Sequence, residues 1–119
     1  MSLLMLRTCR IDLFNRSVEF ILQNYSGEIT LLLQDNLIKD FANNKRYNII
    51  AAAAGNITAE YQIDELKSRQ FDEIAIPLNV FEIEDYLNVI EFALNYKCDK
   101  ITLIFPDLTI EKFRPADLK

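Results

Sequence analysis

Arg7, Thr8, Cys9, Arg10 and Asp12 crowd together directly after an apolar run at residues 3–6. A carboxylate with guanidinium groups beside it can take a proton from a sugar or other hydroxyl, while the cations hold a phosphate or carboxylate of the substrate. Read as structure alone, the same Asp12 is the N-cap of a following helix and Arg10 a surface cation paired with it. Cys9 is a possible thiol nucleophile, but the chain contains no His to activate it and its second cysteine, Cys98, is remote, so a structural role is expected. Gly55, Asn56 and Thr58 can cradle an anion through backbone and hydroxyl donors, although a tight turn with a helix cap explains the same residues better. Asn79 stands just past an apolar run that closes at Pro77. The acids Glu60, Asp64, Glu65, Asp72, Glu73, Glu82, Glu84, Asp85 and Glu91 are spread over helix faces and helix starts, which reads as solvated surface rather than as a cation site.

What is missing narrows the chemistry. Without His, neither a Ser-His-Asp triad, a His-ligated zinc nor an imidazole base can be built. Gly27 and Gly55 are the only glycines, too few for a G-x-G-x-x-G turn or a Walker phosphate loop. No cofactor and no metal is expected. Lys plus Arg number 13 against 18 Asp plus Glu, a formal charge of −5, the wrong sign for gripping nucleic acid or anionic lipid. The short apolar stretch near the N-terminus is interrupted by Arg7 and Arg10 and does not make a secretory signal, so a reducing, cytoplasmic setting is expected. No run approaches the roughly 18 apolar residues of a membrane span. The chain's 119 residues, 50% hydrophobic and 26% charged, suit one folded domain.

The elements that must position these groups follow from the apolar pattern. Apolar runs lie at 3–6, 29–33, 47–54, 71–77 and 101–105, and the second, fourth and fifth read as continuous rather than alternating, as in strands buried on both faces. The third contains four alanines, which favour helix on propensity, but Lys45 and Arg46 before it and Gly55 and Asn56 after it bound it as a strand. Helical patterns lie between. One is capped by Asp12, carries Phe14, Val18, Ile21, Leu22 and Tyr25, and stops at Gly27. A short one follows Asp35 with Leu37, Ile38 and Phe41 on one side, and a third covers 59–69 behind Thr58. The fourth, over 82–97, has acids in its first turn and Lys97 in its last. Alternating strands and helices predict an α/β three-layer sandwich with five parallel strands. Residues 1–106 form this domain, and the polar 107–119 reads as a tail or as the start of a linker to a second domain.

Ligands of such sheets sit beyond the C-terminal strand ends. Thr8, Arg10 and Asp12 lie there after strand one, Gln34, Asp35 and Asn36 after strand two, Asn56 and Thr58 after strand three, Asn79 after strand four and Asp107 after strand five. A strand order of 3-2-1-4-5 gathers Arg10, Asp12 and Asn79 at the topological switch, whereas 2-1-3-4-5 pairs the ends of strands one and three.

The opening from Leu4, Leu-Met-Leu-Arg-Thr-Cys-Arg-Ile-Asp-Leu-Phe, resembles that of the heptosyltransferase-like sugar transferases, glycosyltransferase family 9, where a first strand runs through I-R-x-x-x-I-G-D into helix one. Arg7, Ile11 and Asp12 occupy the matching positions. The stretches at 25–32 (YSGEITLL) and 66–72 (LKSRQFD) are similar to the family's Y-P-x-A-x-I-T-L-L and L-R-x-x-x-F-D. The Gly that precedes the family's Asp is absent, and Ser17-Val18 replaces a small-Pro pair. The resemblance implies a Rossmann-like N-terminal half of a GT-B enzyme that receives the sugar acceptor, with Asp12 as general base and the order 3-2-1-4-5. It also implies a separate C-terminal half, absent from these residues, that binds the nucleotide sugar, so this half alone would not transfer sugar. Its setting would be cell-surface glycan or lipopolysaccharide assembly. Against it stands a non-enzymatic α/β module of flavodoxin-like type that binds a small ligand or a protein at its strand ends, with the order 2-1-3-4-5.

Overall fold

The computed structural model describes residues 1–42, 46–52 and 63–118. In chain order the elements are β1 (Ser2–Leu6), α1 (Ile11–Asn24), β2 (Glu28–Gln34), α2 (Ile38–Phe41), β3 (Asn48–Ala52), α3 (Asp64–Lys67), β4 (Gln70–Pro77), α4 (Leu87–Leu94), β5 (Lys97–Ile104), β6 (Ile110–Phe113) and α5 (Pro115–Leu118). Short 3-10 turns at Asp35–Leu37 and Ile83–Tyr86 lead into α2 and α4. The strands form one six-stranded sheet in the order β3-β2-β1-β4-β5-β6, and all pairs but the last are parallel. Among the described residues no helix is long and apolar enough to cross a membrane.

The pleat sorts β1 between two cores. Leu3 and Met5 pack with Leu13, Phe14, Val18 and Ile21 of α1. Leu4 and Leu6 pack with Val89, Ile90, Phe92 and Ala93 of α4. Alternate residues of one strand thus enter opposite layers, which is why the run contains no polar residue. Helix α1 buries a stripe comprising Leu13, Phe14, Ser17, Val18, Ile21 and Leu22, the spacing of one helical face. Phe14 meets Phe41 edge to face at 5.6 Å and 73°, which joins α1 to α2 above the sheet.

The expected 3-2-1-4-5 order is present, extended by β6. The segment expected to be a tail therefore adds a strand, antiparallel to β5, with Thr102 opposite Lys112 and Ile104 opposite Ile110. The hairpin is held by Phe105 N–H donating to Thr109 O and Leu108 N–H to Phe105 O, each 2.8 Å. Leu108 takes the left-handed conformation, φ 67°, which a branched side chain rarely adopts. Its side chain packs against the α1-side core.

Several boundaries differ from the sequence expectations. Arg10, not Asp12, is the N-cap of α1, and Asp12 lies in the first helical turn, where its charge suits the positive end of the helix dipole. Likewise Gln34, not Asp35, precedes the 3-10 turn. Tyr25 is the C-cap of α1, so Gly27 is not its stop. Gly27 instead allows a close approach: a Cβ there would lie 2.6 Å from Met1 O, and that carbonyl accepts the Glu28 N–H at 2.9 Å. The pattern over 82–97 divides, with Lys97 opening β5 rather than closing a helix. The four-alanine strand is β3 as far as Ala52; Ala53, Ala54 and the cap at Thr58 lie outside the described residues.

Glu73 is not solvated surface. Its side chain is buried on β4, accepts a hydrogen bond from the Thr102 hydroxyl at 2.5 Å and lies 3.5 Å from Lys112 Nζ. Lys112 is on the strand that the polar tail was not expected to form, so the partner that allows this carboxylate to be buried was invisible in the local pattern.

Candidate functional site

Strands β1 and β4 are neighbours, yet the chain leaves β1 towards β2 and returns to β4 from the far edge of the sheet. That reversal is the topological switch, the place where open parallel sheets form their ligand crevice. Side chains stitch its walls together. The backbone N–H of Arg10 donates to Asn79 Oδ1 at 2.7 Å, and the backbone N–H of Asn79 donates to the Tyr86 hydroxyl at 2.8 Å. The Thr8 hydroxyl reaches Pro77 O at 3.5 Å. Leu78 N–H donates to Ile104 O at 2.8 Å, which brings the end of β5 to the same rim.

Arg10 and Asp12 face solvent at this edge. Arg10 Nε is 3.4 Å from Asp12 Oδ1, with the side chains 68% and 67% exposed. A pair this open contributes about 0–1 kcal/mol, so it leaves both groups accessible to a ligand. Arg7 is held more firmly: its N–H donates to Leu32 O at 3.0 Å and its carbonyl accepts from Gln34 Nε2 at 3.1 Å. The Nε of Arg7 is buried with no hydrogen-bond partner.

No family model, curated protein or solved structure matches the chain.

The site therefore stands on its own geometry. Of the residues singled out in the sequence, Thr8, Arg10, Asp12 and Asn79 meet at the switch, and Arg10 and Asn79 are directly bonded. Asn56 and Thr58 lie outside the described residues. Asp107 is turned into its own hairpin: Thr109 donates to its Oδ1 through the hydroxyl at 2.6 Å and the N–H at 3.1 Å. Those bonds hold its carboxyl below the ordinary value. Among the described residues no three His, Cys, Asp or Glu side chains converge in a way that could hold a metal ion. A shallow cavity of about 350 Å³ on the flank of α1, between Phe20 and Leu108, contains none of the residues expected at the site.

Sequence reasoning missed three members of this rim. Tyr86 was submerged in a helical pattern, though it is buried with its hydroxyl bonded to Asn79 N. Phe81 is 56% exposed, and its ring stacks on Phe105 at 5.8 Å and 6°. An aromatic residue four positions after Pro77, beyond the end of a strand, was the available signal.

Cys9 belongs to the core between α1 and the sheet and is 3% exposed. Burial pushes its thiol up to about 11, although Arg7 and Arg10 act in the opposite direction. At pH 8 this leaves about one thiolate in a thousand, too few for a nucleophile. Burial likewise pushes Cys98 up to about 11. Both cysteines are therefore expected to resist iodoacetamide at pH 8 in the native protein and to react fully in denaturant, as read by mass spectrometry. Rapid native modification of Cys9 would overturn its structural assignment. Because an unfolded thiol releases its proton first, the same shifts make stability fall as pH rises from about 9 towards 11.

Proposed function

We propose that this chain is the acceptor-side half of a sugar transferase of the heptosyltransferase-like kind, inactive in transfer without a half that binds the nucleotide sugar. The observation that carries this reading is the solvent-open Arg10–Asp12 pair at the start of α1, on the switch point of a sheet that contains the order β3-β2-β1-β4-β5. The chemistry fits. Asp12 is the general base that would take the proton from an acceptor hydroxyl as that oxygen attacks the anomeric carbon of the nucleotide sugar, whose bond to the nucleotide's phosphate oxygen breaks, the electron pair leaving with the nucleotide on the other half. Arg10 and Arg7 favour an acceptor that carries phosphate or carboxylate. The loop that presents Arg10 is fixed through its own N–H to Asn79, so the base is positioned by backbone rather than by a free side chain. The order also differs from the 2-1-3-4-5 expected of a flavodoxin-like module.

The test is a titration of the isotopically labelled chain with glucose 1-phosphate as a stand-in for an anionic acceptor. Amide resonances of Thr8 to Asp12 and of Asn79 are expected to move together, and Arg10→Ala to abolish the response. Movement confined to other strand ends, or none, would remove the acceptor-side reading.

A further inference from the structure

The Phe81 ring is fixed against Phe105 on one side and open on the other. The two rings are nearly parallel, 6° apart with centroids at 5.8 Å. Phe105 is 8% exposed, and its backbone is pinned at both N–H and carbonyl by the β5–β6 hairpin. Phe81 therefore has a preset plane in water, which spares a ligand the cost of ordering it. It is not an isolated exposed apolar residue of the kind every surface carries. Exposed Ile11 adjoins Arg10, exposed Leu87 adjoins Tyr86, and Phe81 is two residues beyond Asn79. Three of the exposed large hydrophobics thus lie within two residues, along the chain, of the Arg10–Asn79–Tyr86 hydrogen bonds at the switch point, as expected of a binding edge.

The sheet sets the distances. Arg10 follows β1 and Phe105 follows β5, with β4 between them. Two strand spacings make about 10 Å, comparable to a pyranose ring with one charged substituent. We propose that the Phe81–Phe105 pair is a stacking platform for the apolar C–H face of a pyranose, and that Arg10 holds the anionic substituent of the same sugar. This deepens the acceptor-side reading and rests on it. The ring orients the sugar, the guanidinium sets which end carries charge, and Asp12, beside Arg10, meets the hydroxyls of the ring's charged end. Phe81 is a binding residue in this scheme and takes no part in proton transfer.

The chain contains no Trp, so Phe81→Trp places a single indole reporter on the platform. Its fluorescence is expected to change on titration with glucose 1-phosphate, and to stay constant with inorganic phosphate at the same concentrations. In the otherwise unaltered chain, Phe81→Ala is expected to weaken glucose 1-phosphate binding about tenfold, read from amide shifts at Thr8 to Asp12. An equal response to phosphate alone, or unchanged affinity in Phe81→Ala, would overturn the platform while leaving the acceptor-side reading standing. Tighter binding of adenosine monophosphate would overturn the sugar assignment in favour of a base-stacking ligand. Silence of both the indole and the Thr8 to Asp12 amides would remove the platform and the acceptor-side reading together.

Discussion

Phe14→Ala is expected to lower the unfolding free energy by about 3–5 kcal/mol, the range for a fully buried aromatic truncated to alanine. Phe14 is 0% exposed and belongs to the core between α1 and the sheet. Its ring also meets Phe41, so the substitution loosens α2 together with α1. Because α1 begins at the crevice, the loss should carry over to the site: the Arg10 to Asn79 bond depends on where the helix starts. Urea denaturation would show a lower midpoint with an unchanged slope if the fold remains two-state. A loss below about 1 kcal/mol would mean that α1 does not lie over β1 as described.

The second large effect concerns chemistry rather than stability. With the donor-binding half supplied, Asp12→Asn is expected to cut sugar transfer by about 10²-fold or more, the usual loss when a positioned general base is removed. The fold should survive, because the Asp12 side chain is 67% exposed and its recorded partner is the equally exposed Arg10. The contrast between kcat and KM separates the roles. Asp12→Asn should act on kcat, whereas Phe81→Ala should act on KM, since stacking binds ground state and transition state alike. Unchanged turnover in Asp12→Asn would remove this residue from the mechanism.

Legibility in the sequence followed burial. The parallel strands could be read because both faces are covered, so that Leu3 to Leu6 or Leu31 to Leu33 admit no polar residue. β6 escaped because it is a short edge strand whose Ile110, Glu111 and Lys112 all face water, and a pattern with no buried side has no period to detect. Glu73 was misjudged for a related reason: its burial depends on Thr102 and Lys112, partners 29 and 39 residues away. The candidate site was half legible. Arg10, Asp12 and Asn79 could be assigned to strand ends, and the switch point then brought them together. That Asn79 secures the Arg10 loop by its side chain, with Tyr86 behind it, required coordinates, because no local spacing encodes a bond across 69 residues.

The central position of β1 also has a consequence for synthesis. Its first neighbour, β2, is complete at Gln34, but Leu3 to Met5 find their second partner only when Glu73 to Ala75 have been made. At about 5–20 residues per second, the ribosome leaves that edge open for several seconds. Until β4 is made, β1 has one side unpaired, an edge that other chains can template on once it has left the tunnel. Slow codons between positions 34 and 70 would prolong that exposure.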